Sequence, residues 1–243
     1  MAGESTYTNP PSTMIYSTLP LLEVNKWSTP IISNRLILRP LLLKDLEGYH
    51  ALYSQPEPMA LGYIGGSEPS NDLKKNLDKL ITCLRPWATS TLNYGVFEKT
   101  PYNQEGNFMG HCVLRISNKW PELSYIFRKE FWNQGFATEA VKALMEFWWS
   151  LPRSGTKLDV QGGSVKLPPD PPNRTYVPDS DLRIKKERVL AAIERGNIAS
   201  EKVLIKAGFE VVKRMEGEKI IYFRKVMPFE NPQFYRDMYF NKE

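Results

Sequence analysis

Six consecutive residues, Trp132-Asn133-Gln134-Gly135-Phe136-Ala137, carry the clearest chemistry in this chain. Gly135 and Ala137 are small where the backbone must bend from a strand into a helix. The first amides of a helix have no intrahelical acceptor, and the helix dipole favours negative charge beside them. Such a turn can hold a phosphate with main-chain N–H groups alone. A glycine ahead of a helix is more often a plain turn, so the turn needs support from its surroundings. Neighbouring chemistries are poorly supplied. No Gly-Lys-Ser/Thr follows the turn and no G-x-G-x-x-G stands there, which disfavours a nucleotide-binding protein. Cys83 and Cys112 lie in unrelated contexts without a CxxC pair, so reduced thiols are expected. His50 and His111 cannot supply a metal site without carboxylate help and are read as structural. No metal is expected.

The turn must be positioned by what precedes and follows it. Leu123, Tyr125 and Phe127 alternate with Ser124 and Ile126, a half-buried strand. Ala140, Val141, Leu144, Phe147 and Trp148 recur at helical spacing after it. Upstream, the spacing predicts a strand over 35–40, a helix over 43–53 with Asp45 near its start, and a second helix over 71–84. Pro56 and Pro58 are expected to break the first helix, and 62–66 to form a flexible bend. A hairpin is predicted from 92–98 and 107–116, with Gly110 marking a bulge or a close backbone approach. Downstream, 188–193 reads as a buried strand. Asn197 caps a following helix, Gly208 ends it in a left-handed cap, and 210–214 with 219–226 form a closing hairpin.

The 243 residues are 42% hydrophobic, enough for one sizeable core with extra segments rather than a second domain. Net charge is +5, which suits an anionic ligand. The densest basic run, 183–188, is read as a solvated approach to a strand, so nucleic acid is not the expected partner. No apolar run approaches the ~20 residues needed to cross a bilayer, and no signal peptide is evident. Residues 1–30 read as an extension, partly flexible, with 14–16 and 19–24 able to dock on the body. Residues 150–181 read as a long Pro/Gly-rich loop, and 228–243 as an unassigned tail. A cytoplasmic location is expected, with the nucleus also open. Oligomeric state, monomer or homodimer, is not legible.

The strand followed by W-N-Q-G-F-A-T-E-A resembles the acyl-CoA motif of the Gcn5-related N-acetyltransferases (GNAT), and within them the RimJ/RimL-type branch. That motif runs Q/R-x-x-G-x-G/A; Trp132 stands at its first position and Ala137 at its last. N-R-L-I-L-R-P with D-L-E after it resembles that branch's opening. N-x-A-S, V-L and K-A-G-F, over 197–209, resemble a second family signature. The resemblance covers about residues 31–227. It implies an α/β (α+β) acyl-CoA N-acyltransferase fold, with a mixed, mostly antiparallel central sheet flanked by helices. It also marks about 151–187 as an insertion, partly disordered, where the family passes straight from helix to strand.

The resemblance further implies acetyl-CoA as co-substrate and an amine as acceptor. The amides of Gln134, Gly135, Phe136, Ala137 and Thr138 would bind the pyrophosphate. The backbone of Ile126, Phe127 and Arg128 would run beside the pantetheine, and Asn197 would contact it as well as capping its helix. Glu122 stands where some members carry the carboxylate that takes the amine proton. Ser200 stands where a hydroxyl can protonate the leaving thiolate, with Tyr222 a weaker candidate acid. Plain roles compete: a solvated strand-end carboxylate for Glu122, and a hydroxyl bonding helix backbone for Ser200. Tyr53, Met59, Tyr63 and Trp87 could line the acceptor pocket or simply pack. A second reading is a catalytically inactive acyl-CoA-binding module that recruits a protein partner.

Overall fold

The computed structural model describes residues 12–21, 29–62, 67–84, 91–117, 119–161, 183–213 and 219–228. Expectations for the rest of the extension, for 63–66 and Tyr63, for Trp87, for the proline-rich 162–182 and for the tail from 229 lie outside the described residues. The strands are β1 (Ser12–Pro20), β2 (Ile31–Ile32), β3 (Leu36–Pro40), β4 (Thr91–Lys99), β5 (Glu105–Arg115), β6 (Glu122–Phe127), β7 (Arg153–Gln161), β8 (Arg183–Ile184), β9 (Arg188–Glu194), β10 (Glu210–Lys213) and β11 (Ile220–Val226). The helices are α1 (Leu46–Tyr53), α2 (Pro56–Gly62), α3 (Leu73–Leu84), α4 (Phe136–Ser150) and α5 (Ile198–Lys206). Eight strands form the main sheet in the order β10-β11-β9-β6-β5-β4-β3-β2. Every recorded pair in it is antiparallel except β6 with β9. This is the expected mixed, mostly antiparallel sheet with helices on both sides.

Strand alternation decides what each face buries. Leu92, Tyr94, Cys112, Leu114, Leu123 and Phe127 turn toward α4, where Ala140, Val141, Leu144 and Trp148 meet them. Ile37, Phe97, Phe108 and Ile126 turn the other way, against Tyr49, Leu52, Tyr53 and Met59 of α1 and α2 and Leu80 of α3. Ile126 is thus buried too, so β6 is covered on both faces at its C-terminal end rather than half-exposed throughout. The first helix ends at Tyr53, ahead of the two prolines as expected, but a second helix starts at once. Pro56 is the first residue of α2, where its missing N–H costs nothing, and Pro58 is still in the first turn. Asp45 stands at the start of α1 as expected, although its side chain makes no cap bond there. Its carboxylate takes a bidentate pair of bonds from buried Arg39, both 2.7 Å, and one from the Leu42 amide.

Two stretches expected to be loose form a sheet with each other. Residues 12–20 and 153–161 pair antiparallel from Ser12↔Gln161 to Pro20↔Arg153. The two residues of β8 pair parallel to β1 on its other side. Ile15, Leu158 and Val160 then cover Trp120 just ahead of β6. Serines, threonines and a lysine interrupt the apolar period in both segments, so neither reads as a strand alone.

One buried carboxylate fastens this small sheet to the body. Glu187, fully buried, accepts from Thr18 Oγ1 on β1 at 2.8 Å and from Trp148 Nε1 on α4 at 2.8 Å. Arg153 Nε of β7 lies 3.4 Å from it, while the rest of that guanidinium caps the carbonyls of Trp148 and Leu151 at the end of α4. Removing one member of a buried pair strands the other. Glu187→Ala is expected to cost roughly 3–5 kcal/mol of unfolding free energy in urea titration; a loss under about 1 kcal/mol would show the node to be dispensable.

The core also buries a histidine. His111 on β5 is 4% exposed, with Nδ1 3.3 Å from the Tyr53 hydroxyl and no partner for Nε2 among the described residues. Burial pushes its imidazole down to about 4 from an ordinary 6.5. Between those values the unfolded chain binds a proton that the folded chain refuses, so stability falls as pH drops from 6.5 toward 4. Carboxylates titrate in the same window, so the comparison must be with a variant. In His111→Gln, the stability lost between pH 7.5 and 4.5 should shrink by on the order of 2 kcal/mol. Equal pH dependence in the two proteins would contradict this.

Candidate active site

The sheet is incomplete at its centre. β6 and β9 run parallel, but the only register pair between them is Glu122↔Leu190, supported by Leu190 N to Pro121 O at 2.8 Å. Past that point the two strands part. On its other side β6 stays fully paired with β5 as far as Gly110↔Phe127. The edge of Leu123–Phe127 that faces β9 therefore has main-chain donors and acceptors without a strand to meet them. Gly110 lets β5 press closely on this segment: a Cβ there would sit 2.4 Å from the Ile126 carbonyl oxygen. The register between β4 and β5 also shifts beside it, between Val96 and Phe97, so both readings of Gly110 hold.

The parted edge leads directly into the glycine turn. Lys129–Phe131 makes one 3-10 turn, and Trp132 Nε1 donates to the Phe127 carbonyl at 2.7 Å, closing the loop on the end of β6. Asn133 and Gly135 have φ of 61° and 82°. Gly135 is required by that left-handed conformation, not by crowding: an added Cβ would meet only Arg35 Nη2, at 3.5 Å. The Gln134 side chain turns back to the Glu130 carbonyl. The first main-chain bond into α4 is Glu139 N to Gly135 O, so the amides of Gly135, Phe136, Ala137 and Thr138 have no protein acceptor among the described residues. A left-handed glycine whose own amide and the next three are free, at the start of a 15-residue helix, is a fit for a phosphate group.

Side chains that sequence reasoning passed over hold this turn. Glu139 accepts from Ser33 Oγ at 2.7 Å, from Arg35 N at 2.7 Å and from Arg35 Nε at 2.8 Å. Arg35 Nη1 donates to the Gln134 carbonyl at 3.1 Å, and its guanidinium lies 4.3 Å from the Phe136 ring centre. Gln55, between α1 and α2, accepts from Lys129 N and donates to Glu130 Oε2, each at 2.8 Å, and Glu57 pairs with Lys129. Arg128 donates to the Phe108 carbonyl and pairs with Glu130 at 2.5 Å. The signal for Arg35 was present in N-R-L-I-L-R-P, but its partner lies 104 residues away.

Two bonds bridge the gap between the parted strands. On the α1–α3 side, Asn197 Nδ2 donates to the Leu61 carbonyl at the end of α2, 3.1 Å away. On the α4 side, the Tyr125 hydroxyl of β6 donates to the Ser200 carbonyl of α5 at 3.2 Å. Asn197 also caps α5, its Oδ1 accepting from Ser200 N at 3.1 Å. The gap is thus spanned above and below.

The candidate acid and base groups are spread around it. Glu122 is exposed at the end where β6 and β9 still pair, and its carboxylate makes no ion pair among the described residues. Tyr222, 40% exposed, pairs with Ala192 on β9 and so shares the sheet face of Glu122. Two strand spacings and a two-residue offset put their backbones roughly 12 Å apart. Ser200 approaches from the opposite face. Its hydroxyl bonds no protein group among the described residues, so the backbone-bonding alternative is not what the structure has. Tyr53 and Met59 are buried packing residues, 3% and 0% exposed. No group of three or more His, Cys, Asp or Glu able to hold a metal exists among the described residues, and no helix among them is long and apolar enough to cross a membrane.

Comparison with known proteins bears on this arrangement. No curated protein matches the chain significantly. Among solved structures, an acetyltransferase of the GNAT family from Bacillus anthracis matches with a TM-score of 0.54 at 18% identity, over 82% of this chain and 99% of its own. A spermidine N-acetyltransferase from Vibrio cholerae, in complex with CoA and spermine, matches with a TM-score of 0.52 at 14% identity, over 79% and 95%. RimL, a ribosomal-protein α-N-acetyltransferase in complex with coenzyme A, matches with a TM-score of 0.54 at 14% identity, over 82% and 98%. At such identities the likeness is one of fold. The family model for the acetyltransferase (GNAT) domain matches residues 35–210, which take in the parted strands, the glycine turn and α5. With 35–210 inside that model, the chain belongs to the GNAT acetyltransferase family.

Proposed function

We propose that this protein transfers an acetyl group from acetyl-CoA to a primary amine by direct attack in a ternary complex, as a member of the RimJ/RimL-like branch. The observation that carries this reading is continuity. The unpaired edge of β6 leads through the single 3-10 turn of Lys129–Phe131 to the free amides of Gly135–Thr138, so unpaired main-chain donors stand at both ends of one short segment. Acetyl-CoA supplies the activated acyl group as a thioester. The chain's contribution is positioning, oxyanion stabilisation and proton transfer.

Gln134, Gly135, Phe136, Ala137 and Thr138 hold the diphosphate through their amides. Ile126, Phe127 and Arg128 offer the strand edge to the pantetheine. Asn197 assists there, which requires its bond to the Leu61 carbonyl to open, since both its polar atoms are otherwise engaged. Glu122 takes the amine proton, through water, and its exposure leaves it free to do so. Ser200 returns a proton to the departing thiolate from the α5 side, with Tyr222 the alternative acid. Protein N-termini, lysines and small amines are the acceptor classes. Two structural relatives are named for spermidine and for a ribosomal protein, so polyamines and basic peptides head the panel. The location is cytoplasmic.

One observation favours the second reading, an inactive acyl-CoA-binding module. No two of Glu122, Ser200 and Tyr222 are joined by a hydrogen bond. Thiol release from acetyl-CoA with that panel separates the two, since a module yields coenzyme binding without amine-dependent thiol.

Gly135→Asp forces a side chain and a negative charge into the left-handed corner of the cradle. It should abolish calorimetric binding of acetyl-CoA while circular dichroism stays native; unchanged affinity in a folded variant rules the cradle out. Glu122→Gln should lower turnover by roughly 10²- to 10⁴-fold, with acetyl-CoA affinity nearly unchanged. A full-rate variant removes Glu122 as the base.

A further inference from the structure

The glycine turn is held from behind by a residue that lies outside it. Arg35 precedes β3, and its guanidinium makes three distinct contacts with the turn and the first turn of α4. Nε donates to Glu139 Oε2 at 2.8 Å, Nη1 donates to the Gln134 carbonyl at 3.1 Å, and the guanidinium carbon lies over the Phe136 ring, 4.3 Å from its centre. Glu139 is fixed in turn by Ser33 Oγ and the Arg35 amide, both at 2.7 Å. That carboxylate is held below the ordinary carboxylate range by these bonds and the Arg35 charge, against the opposing effect of its burial.

The contact with the Gln134 carbonyl has a geometric consequence. In a trans peptide the C=O of one residue and the N–H of the next lie in one plane and point in opposite directions. No peptide bond in the described chain is cis. Pinning the Gln134 oxygen on the Arg35 side therefore aims the Gly135 N–H at the opposite side, away from β3. Gly135 at φ 82° is otherwise free to swing, because glycine has low barriers across much of its backbone space. The cation also polarises the peptide whose oxygen it holds, which makes that N–H a better donor.

We propose that Arg35 is a positioning residue for the coenzyme diphosphate: by holding the Gln134 carbonyl it presets the Gly135 amide, and Glu139 holds Arg35 in place. This rests on the reading of the turn as the coenzyme cradle. Arg35 does this through its planar fork, which bonds Glu139 and the carbonyl at once; a lysine ammonium keeps the charge without that geometry.

Three ligands separate the alternatives when measured by calorimetry on the full chain. CoA carries the diphosphate and the 3′-phosphate, dephospho-CoA carries the diphosphate alone, and S-acetylpantetheine carries neither. Arg35→Lys and Arg35→Met should each weaken CoA and dephospho-CoA alike, by roughly 10- to 100-fold, and leave acetylpantetheine within about two-fold of wild type. Should Arg35→Met not fold, Arg35→Lys carries the test.

Several results overturn the proposal. Retention of CoA affinity in folded Arg35→Lys would mean that charge, not the fork, is what the ligand senses. Loss for CoA but not dephospho-CoA would make Arg35 a ligand of the 3′-phosphate. Equal loss for all three would make it a general tether of α4. If wild type binds none of the three, the coenzyme reading itself fails and this inference with it; if wild type binds and the variants match it, only this inference fails.

Discussion

Two parallel strands that stop pairing after one residue impose the main constraint on this molecule. Each main-chain N–H or C=O left without a partner away from water costs free energy comparable to a lost hydrogen bond. Between β6 and β9 the ladder ends at Glu122↔Leu190, in the middle of an eight-stranded sheet. A sheet does not tolerate such a break unless something else keeps the strands in place and something else uses their edges. The surrounding elements can be understood as answers to that requirement.

The first answer is bracing. Neither β6 nor β9 is loose: β5 pairs β6 along its length, and β11 pairs β9 from Ile220↔Glu194 to Val226↔Arg188. The parted strands are thus each backed by a complete antiparallel partner. Across the gap, Tyr125 reaches Ser200 on one face and Asn197 reaches Leu61 on the other. Gly62 allows the end of α2 to lie directly on Ile126, since a Cβ there would come within 2.5 Å of its Cδ1. At the far end of α2, Gln55 and Glu57 hold the 3-10 turn that follows β6. The short helix α2 is therefore fastened to both banks of the gap. The gap and the glycine turn share one frame, which is what the positioning invoked in the proposed reaction requires.

Much of this was legible from residue order. The strand, glycine turn and helix of 122–149 were found where periodicity put them, because each is a continuous local pattern with its own punctuation. Asn197 as a cap and Gly208 at φ 83° followed from the same local rules. What local rules could not supply were partners far apart in sequence. Arg35 and Glu139 are ordinary charged residues until the fold sets them 2.8 Å apart. Pro56 and Pro58 do follow the end of α1, but the helix that begins with them was not legible, because the proline penalty applies inside a helix and not in its first turn. Strands 12–20 and 153–161 were missed for a related reason. Each carries mixed polarity, and each is stabilised mainly by the other, 139 positions away at the Ser17↔Thr156 pair by their numbering and further at the Ser12↔Gln161 end.

Those two strands change how the added segments should be regarded. A polar strand on the outside of a domain can be an ornament, held by little more than its ladder. Here the small sheet sends Thr18 and Arg153 inward to Glu187, which also takes the indole N–H of Trp148. Trp148 belongs to α4, the helix whose first turn carries the free amides. A buried carboxylate with an absent partner is costly, so the main domain is built to expect the small sheet rather than merely to accept it. The same sheet covers Trp120, two residues before Glu122, and touches Leu190, its register partner. The hinge of the parted strands thus lies under a sheet whose first strand, β1, stands outside residues 35–210, the part that the family model matches, while β7 stands inside it. Any account of how the gap keeps its width must include that sheet, because it presses on the one residue pair where the two strands still meet.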